Sequence, residues 1–292
     1  MQLGRQPSTA YWDGGWRGLS PVRRGDRVRR RNRLIGPPAL TRRSLLAGMG
    51  ATLGGALARR ALDDGGPVAE SPGPLLYDPF DGPDLDGTLW EPTAHNDFES
   101  HIADVVGGRL RLACSTIGTD DTTVKYHGIR SVEPMVPVTD GAVVEFLFDW
   151  NDQANGCYMH AGVYIAPEAS DDPADVDDRL EFVYIGVPPG QMARAWVTLR
   201  QGGLQPRILL DEGWPRDRTG RRIGVHSVSL LFERDRLTLQ EDGEALLTAG
   251  DLDLDWGWSH LYLQQSSHSN YPLRTVYFDD VRVSHHGEVR EE

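Results

Sequence analysis

The chain has 292 residues and a formal net charge of −13, but that charge is unevenly split. Residues 1–62 hold 13 Arg against 2 Asp, or +11, which leaves 17 basic and 41 acidic groups, or −24, for the remaining 230 residues. A body that acidic repels phosphate backbones and argues against nucleic acid as a partner; the length admits one large all-β domain.

The first element in chain order is a leader. Thr41-Arg42-Arg43-Ser44-Leu45-Leu46 opens an uncharged run from Leu45 to Ala58, 14 residues long. A hydrocarbon core needs about 20 residues, so the run is too short to span one. It closes on Ala56-Leu57-Ala58, a small-x-small cleavage pattern. Paired Arg ahead of a weakly apolar run resembles a twin-arginine (Tat) signal peptide. The resemblance implies a secreted, extracellular protein exported already folded, with no membrane span after cleavage. The expected organisation is therefore a leader over 1–58, a Gly-, Pro- and Asp-rich linker over 59–74, a domain over 75–285 and a tail over 286–292.

From Leu75 onward, short apolar or alternating runs are separated by Gly, Pro, Asp and Asn, and no helical period is sustained. The pattern predicts strands at Leu75–Phe80, Ile102–Val106, Arg109–Ser115, Gly128–Glu133, Ala142–Trp150, Cys157–Pro167 and Arg179–Val187. It continues with Arg194–Gln201, Arg207–Leu210, Gly224–Glu233, Arg236–Gln240, Glu244–Thr248, Leu261–Gln265 and Thr275–Ser284. Gly107-Gly108 and Asp242-Gly243 sit where tight hairpins need positive φ. The acidic run Asp171–Asp178 reads as a solvated loop. This spacing of strands and turns is that of an all-β, two-sheet antiparallel β-sandwich or jelly roll.

Several residues invite a chemical reading. Alternation sends Tyr158, His160, Gly162 and Tyr164 to one face of their strand, and Met159, Ala161, Val163 and Ile165 to the core. The first set forms an aromatic-polar stripe that suits a sugar ring, and also an ordinary solvated sheet face. Tyr262 and Gln264 share a face, and His268 lies in the polar loop that follows; their groups match sugar hydroxyls or cap a sheet. Glu181, between Leu180 and Phe182, needs an ion-pair partner such as an Arg or carries a raised pKa fit for acid–base work, with His160 and Tyr158 as its expected neighbours. Cys114 and Cys157 both lie beyond the leader, where export permits a disulfide; two buried thiols that never meet fit the same letters.

Tyr77-Asp78-Pro79-Phe80-Asp81-Gly82, with Leu85-Asp86 and Trp90, resembles the opening of concanavalin A-like lectin and glucanase domains. The hairpin around Glu241-Asp242-Gly243-Glu244 and the closing Val276-Tyr277-Phe278-Asp279-Asp280-Val281-Arg282-Val283 are similar to theirs. The resemblance implies two curved sheets, the concave one binding or cleaving polysaccharide or oligosaccharide. It also implies a possible structural calcium between the first and last strands, held by Asp78, Asp81 and Asp280; turn-forming aspartates explain the same letters, and no cofactor is required. The family's Glu-x-Asp-x-x-Glu strand is missing. Glu145 and Asp149 lie four apart, about 13 Å along a strand, too far for a double displacement. A fainter similarity, Tyr158–Tyr164 together with Arg130-Ser131-Val132-Glu133, is to jelly-roll alginate lyases, against whose basic clefts the acidic body stands. The sequence thus favours a lectin-like, carbohydrate-binding sandwich. A glycoside hydrolase or polysaccharide lyase of the same fold is the alternative, and a cell-surface adhesion module a third reading.

Overall fold

The computed structural model describes residues 74–120, 123–150, 159–185, 194–211, 224–267 and 270–286. Nearly all of the leader and linker, most of the tail, and Tyr158, Cys157 and His268 lie outside them. Among the described residues no helix is long and apolar enough to cross a membrane.

Among the described residues sixteen strands follow in order: β1 Leu76–Asp78, β2 Trp90–His95, β3 Ser100–Val105, β4 Leu110–Ser115, β5 Lys125–Ser131, β6 Val136–Pro137, β7 Ala142–Trp150 and β8 Met159–Ala166. The remainder are β9 Arg179–Ile185, β10 Arg194–Arg200, β11 Arg207–Asp211, β12 Gly224–Glu233, β13 Arg236–Glu241, β14 Glu244–Ala249, β15 Trp258–Ser267 and β16 Arg274–His285. They form two antiparallel sheets. The first has the order β14-β13-β12-β7-β16-β4-β3, with β1 added on β16. The second runs β11-β10-β9-β8-β15-β5-β2, with β6 added on β15. The expected two-sheet sandwich is the observed fold.

Alternation explains the packing. In β12, Val228, Leu230 and Phe232 are buried while Ser227, Ser229 and Leu231 are less so, because successive side chains leave opposite faces of a strand. Phe146, Phe148 and Phe278 from the first sheet meet Val163, Phe182, Tyr184, Leu261 and Leu263 from the second in one core. Phe148 stacks on Tyr184 across the interface, with ring centroids 5.0 Å apart and planes at 11°. Asp242 and Gly243 adopt φ +52° and +84° between paired Glu241 and Glu244, the backbone a two-residue hairpin turn demands.

Three local expectations need correction. Trp90–His95 is a strand although Pro92 interrupts its apolar pattern. The strand lies at the edge of the second sheet, where a missing N–H costs no ladder bond. β15 extends well past Leu261–Gln265 at both ends. The acidic run is not simply solvated. Asp172 caps a single 3-10 turn, Pro173–Asp175, by accepting the Ala174 N–H at 2.9 Å, and Pro173 and Val176 are buried.

Candidate functional site

The strand registers set three rows of side chains across the outer face of the second sheet, the face turned away from the core. The first row reads Glu91, Arg130, Tyr262, Tyr164, Glu181, Thr198. Next to it run Thr93, Gly128, Gln264, Gly162, Val183 and Trp196. The third holds His95, Tyr126, Ser266, His160 and Ile185. His160, Tyr164, Glu181, Tyr262 and Gln264 thus share one face, drawn from β8, β9 and β15.

Glu181 and His160 do not pair as expected. Glu181 lies opposite Tyr164, whereas His160 lies opposite Ile185, four residues further along β9, or about 13 Å along the strand. The groups that hold Glu181 are hydroxyls. Tyr164 donates to Oε1 and Thr198 to Oε2, each at 3.0 Å.

The face is not an open shelf of rings. Tyr164, Tyr262 and Gln264 are buried, and the segment carrying the acidic run folds over the two tyrosines. The Tyr262 hydroxyl donates to the Glu168 carbonyl at 2.9 Å and accepts the Ser170 N–H at 3.0 Å. Val176 packs into an apolar cluster with Tyr164, Val183 and Ile185. Tyr126 meets Tyr164 edge to face at 6.2 Å. Gly128 and Gly162 flank Gln264 because any Cβ there would collide with the backbone of the neighbouring strand. Gln264 donates to the Thr93 hydroxyl at 2.8 Å, and its buried Oε1 has no hydrogen-bond partner.

Asp172 is the residue that sequence reasoning missed. It approaches His95 at 3.4 Å. Burial pushes its carboxyl above the usual range, while His95 opposes the shift. Burial also drives the Tyr126 and Tyr164 hydroxyls well above their ordinary range, with the charge of Glu181 as the next cause for both; Asp172 adds to the effect at Tyr126. Arg179, on the same face, donates to the Val176 carbonyl at 2.8 Å and leaves its buried Nε without a partner. The signal for Asp172 was present in Asp172-Pro173, a turn-initiating pair. The predicted start of β5 at Gly128 hid Tyr126.

The remaining candidates lie elsewhere. Glu145 and Asp149 stand on the first sheet, opposite Arg282 and Tyr277 respectively, with Asp149 bound to Arg109 at 2.7 Å. Asp78 accepts the Phe80 N–H at 2.7 Å and the Trp90 indole N–H at 2.8 Å, and Asp280 accepts the Tyr77 hydroxyl at 3.3 Å. Asp78, Asp81 and Asp280 do not bring their ligand atoms into one group, as a calcium site of six or more oxygens would require. Cys114 is buried on β4.

No family model matches the chain, and no curated protein matches it. Solved structures do share its fold. An endo-acting O-glycanase, of a kind expressed by members of the human gut microbiota to initiate mucin breakdown, is 15% identical with a TM-score of 0.54, covering 74% of this chain and all of its own. A β-1,3-glucanase from Mycobacterium marinum is 13% identical (TM-score 0.50), again over 74% of this chain and all of that one. A pseudo-β-1,3-glucanase and immunostimulatory antigen of Mycobacterium tuberculosis is likewise 13% identical (TM-score 0.51) over the same shares. At these identities the likeness shows the fold alone, a two-sheet antiparallel jelly-roll β-sandwich that these structures share.

Proposed function

We propose that the protein is an exported glycoside hydrolase that works on a polysaccharide or oligosaccharide at the outer face of its second sheet. One observation carries this reading: two carboxylates from different elements stand at this face, Glu181 accepting the Tyr164 hydroxyl at 3.0 Å and Asp172 lying 3.4 Å from His95. Glycosidic cleavage needs one carboxyl group that keeps its proton to give to the leaving oxygen and a second that acts as base or nucleophile. Burial suits Asp172 to the first role. Glu181, oriented by the Tyr164 and Thr198 hydroxyls, takes the second. The glycosidases that share the fold support this reading over a purely lectin-like one, and the leader residues support export.

A second reading, binding without cleavage, is favoured by the rest of β9. The positions beyond Glu181 on its face are Val183 and Ile185, so the strand offers no second acid there.

The test is release of reducing ends by the purified protein from a panel of β-glucans, galactans and mucin O-glycans. Hydrolysis lost in both Glu181→Gln and Asp172→Asn, with binding kept, supports the enzyme. Binding without release by the unaltered protein overturns it in favour of the second reading. Neither binding nor release removes both.

A further inference from the structure

A cluster of metal-ligating atoms lies outside this face, where β12 meets the β13–β14 turn of the first sheet. His226 projects from β12 and is buried; Glu241, the last residue of β13, is also buried; Asp242 opens the turn with its side chain 54% exposed. The turn is fixed against β12 twice: the Asp242 N–H donates to the Ser227 carbonyl at 2.8 Å, and Asp242 Oδ1 accepts the Ser227 N–H at 2.9 Å. Asp242 Oδ2 is thereby aimed at His226 Nδ1, 2.9 Å away, and Glu241 Oε1 reaches the same nitrogen at 3.5 Å.

We infer that His226 Nδ1, Glu241 Oε1 and Asp242 Oδ2 bind a zinc-class divalent metal ion. Two arguments converge on it. The first is spacing. Ligand atoms on one ion at bond lengths of about 2.1 Å stand roughly 3.0–3.4 Å apart, close to the two observed edges, and the three ligand atoms all lie within 4.8 Å of one another. The second is support: Tyr184 donates its hydroxyl to Glu241 Oε2, the outer bond that orients a ligating carboxylate and leaves Oε1 toward the histidine. The exposed flank of Asp242 supplies the entry path. One imidazole with two carboxylates suits zinc better than calcium, which takes six or more oxygens.

The experiment uses the full chain, freed of metal by a chelator and titrated with Zn²⁺ by calorimetry, with Co²⁺ as a spectroscopic substitute. The expected result is one equivalent bound, a higher melting temperature, visible d–d bands from Co²⁺, and little competition from Ca²⁺. His226→Gln and Asp242→Asn should each lower Zn²⁺ affinity at least about tenfold, since even outer-shell changes cost that much. Asp242→Asn is the decisive variant. Asn tolerates the positive φ and keeps the acceptor for Ser227, so the turn survives even if His226→Gln does not fold. Absence of stoichiometric binding by the unaltered chain, an Asp242→Asn affinity equal to the unaltered one, or equal affinity for Ca²⁺ would each overturn the assignment.

Discussion

The buried carboxylate of Asp78, on the first sheet, accepts the indole N–H of Trp90, on the second, at 2.8 Å. Its other oxygen takes the Phe80 N–H at 2.7 Å and holds Phe80 at φ +51°, from where its ring stacks on Trp90 at 6.2 Å. A bulky residue at positive φ is strained and persists only where its surroundings over-determine it. Asp78 is a principal part of those surroundings. The Tyr-Asp-Pro-Phe opening is therefore a sheet-to-sheet tie.

Asp78→Ala strands two buried donors at once, and each unsatisfied buried group costs roughly 1–3 kcal/mol. The expected loss is about 3 kcal/mol in urea unfolding, read as a lower midpoint at unchanged slope. Trp90→Phe, which keeps the ring packing and removes one donor, should cost less than Asp78→Ala. A neutral Asp78→Ala would remove the tie from the account of stability.

Gly162→Ala should be among the most damaging single-methyl changes in the domain. The added Cβ meets the Phe182 carbonyl and the Val183 Cα, both backbone atoms that cannot swing aside as a side chain can. Overpacking against movable neighbours costs about 1–3 kcal/mol, so the expected loss is at the top of that range or beyond. Chemical denaturation of Gly162→Ala beside Gly107→Ala tests the cause. Gly107 has open space for a Cβ, so its penalty comes from its φ of +62° alone.

Much of this was legible in the sequence, for identifiable reasons. Ala142–Trp150 and Gly224–Glu233 coincide with β7 and β12 because Val, Leu and Phe recur through both and turn residues bound them, Asp140-Gly141 before the first and Asp235 after the second. β2 was hidden because Pro92 reads as a strand breaker unless the strand is known to lie at an edge, and edges are set by tertiary pairing. Glu181 stood out as a carboxylate in an apolar strand, but its partners come from register. That Tyr164 and not His160 lies opposite it depends on how β8 slides against β9, which no local pattern encodes. The acidic run looked solvated because five of its eight residues are Asp. Its fold over the sheet depends on Pro173 and Val176, two apolar residues too sparse to form a period.

Acid sensitivity should trace in part to His127. The imidazole is buried, and that burial pushes it from its ordinary 6.5 down to about 4, against the hydrogen bond it donates to Gln265, which favours the charged form; His101 nearby lowers it further. Gln265 Nε2 donates to the Arg274 carbonyl, so Gln265 Oε1 faces His127 Nε2 at 2.6 Å and fixes the proton there. Nδ1, buried without a hydrogen-bond partner, is the atom left to protonate. Below 6.5 the unfolded chain takes up a proton that the folded chain refuses until about pH 4. Stability from this group is therefore complete above 6.5, falls across that window and levels off below it, by about 3 kcal/mol in all. His127→Gln should flatten that part of the stability–pH curve. A difference curve between the two proteins with no slope in the window would refute the role.

If hydrolysis is observed, its pH profile should identify Asp172 as the proton donor. The acting form of a donor is the protonated one, and burial holds Asp172 in that form to higher pH than an ordinary carboxyl. The rate should therefore fall on the alkaline side as Asp172 ionises. His95, when charged, favours the carboxylate and so opposes the shift. Removing it by His95→Ala should raise the Asp172 pKa further and move the falling limb to higher pH. Asp172→Asn should lower kcat about a hundredfold or more, the usual worth of a positioned acid, and abolish that limb. These outcomes separate a chemical role from a structural one. A merely structural Asp172 could lower kcat when replaced, but the limb would stay in Asp172→Asn and would not follow the charge of His95.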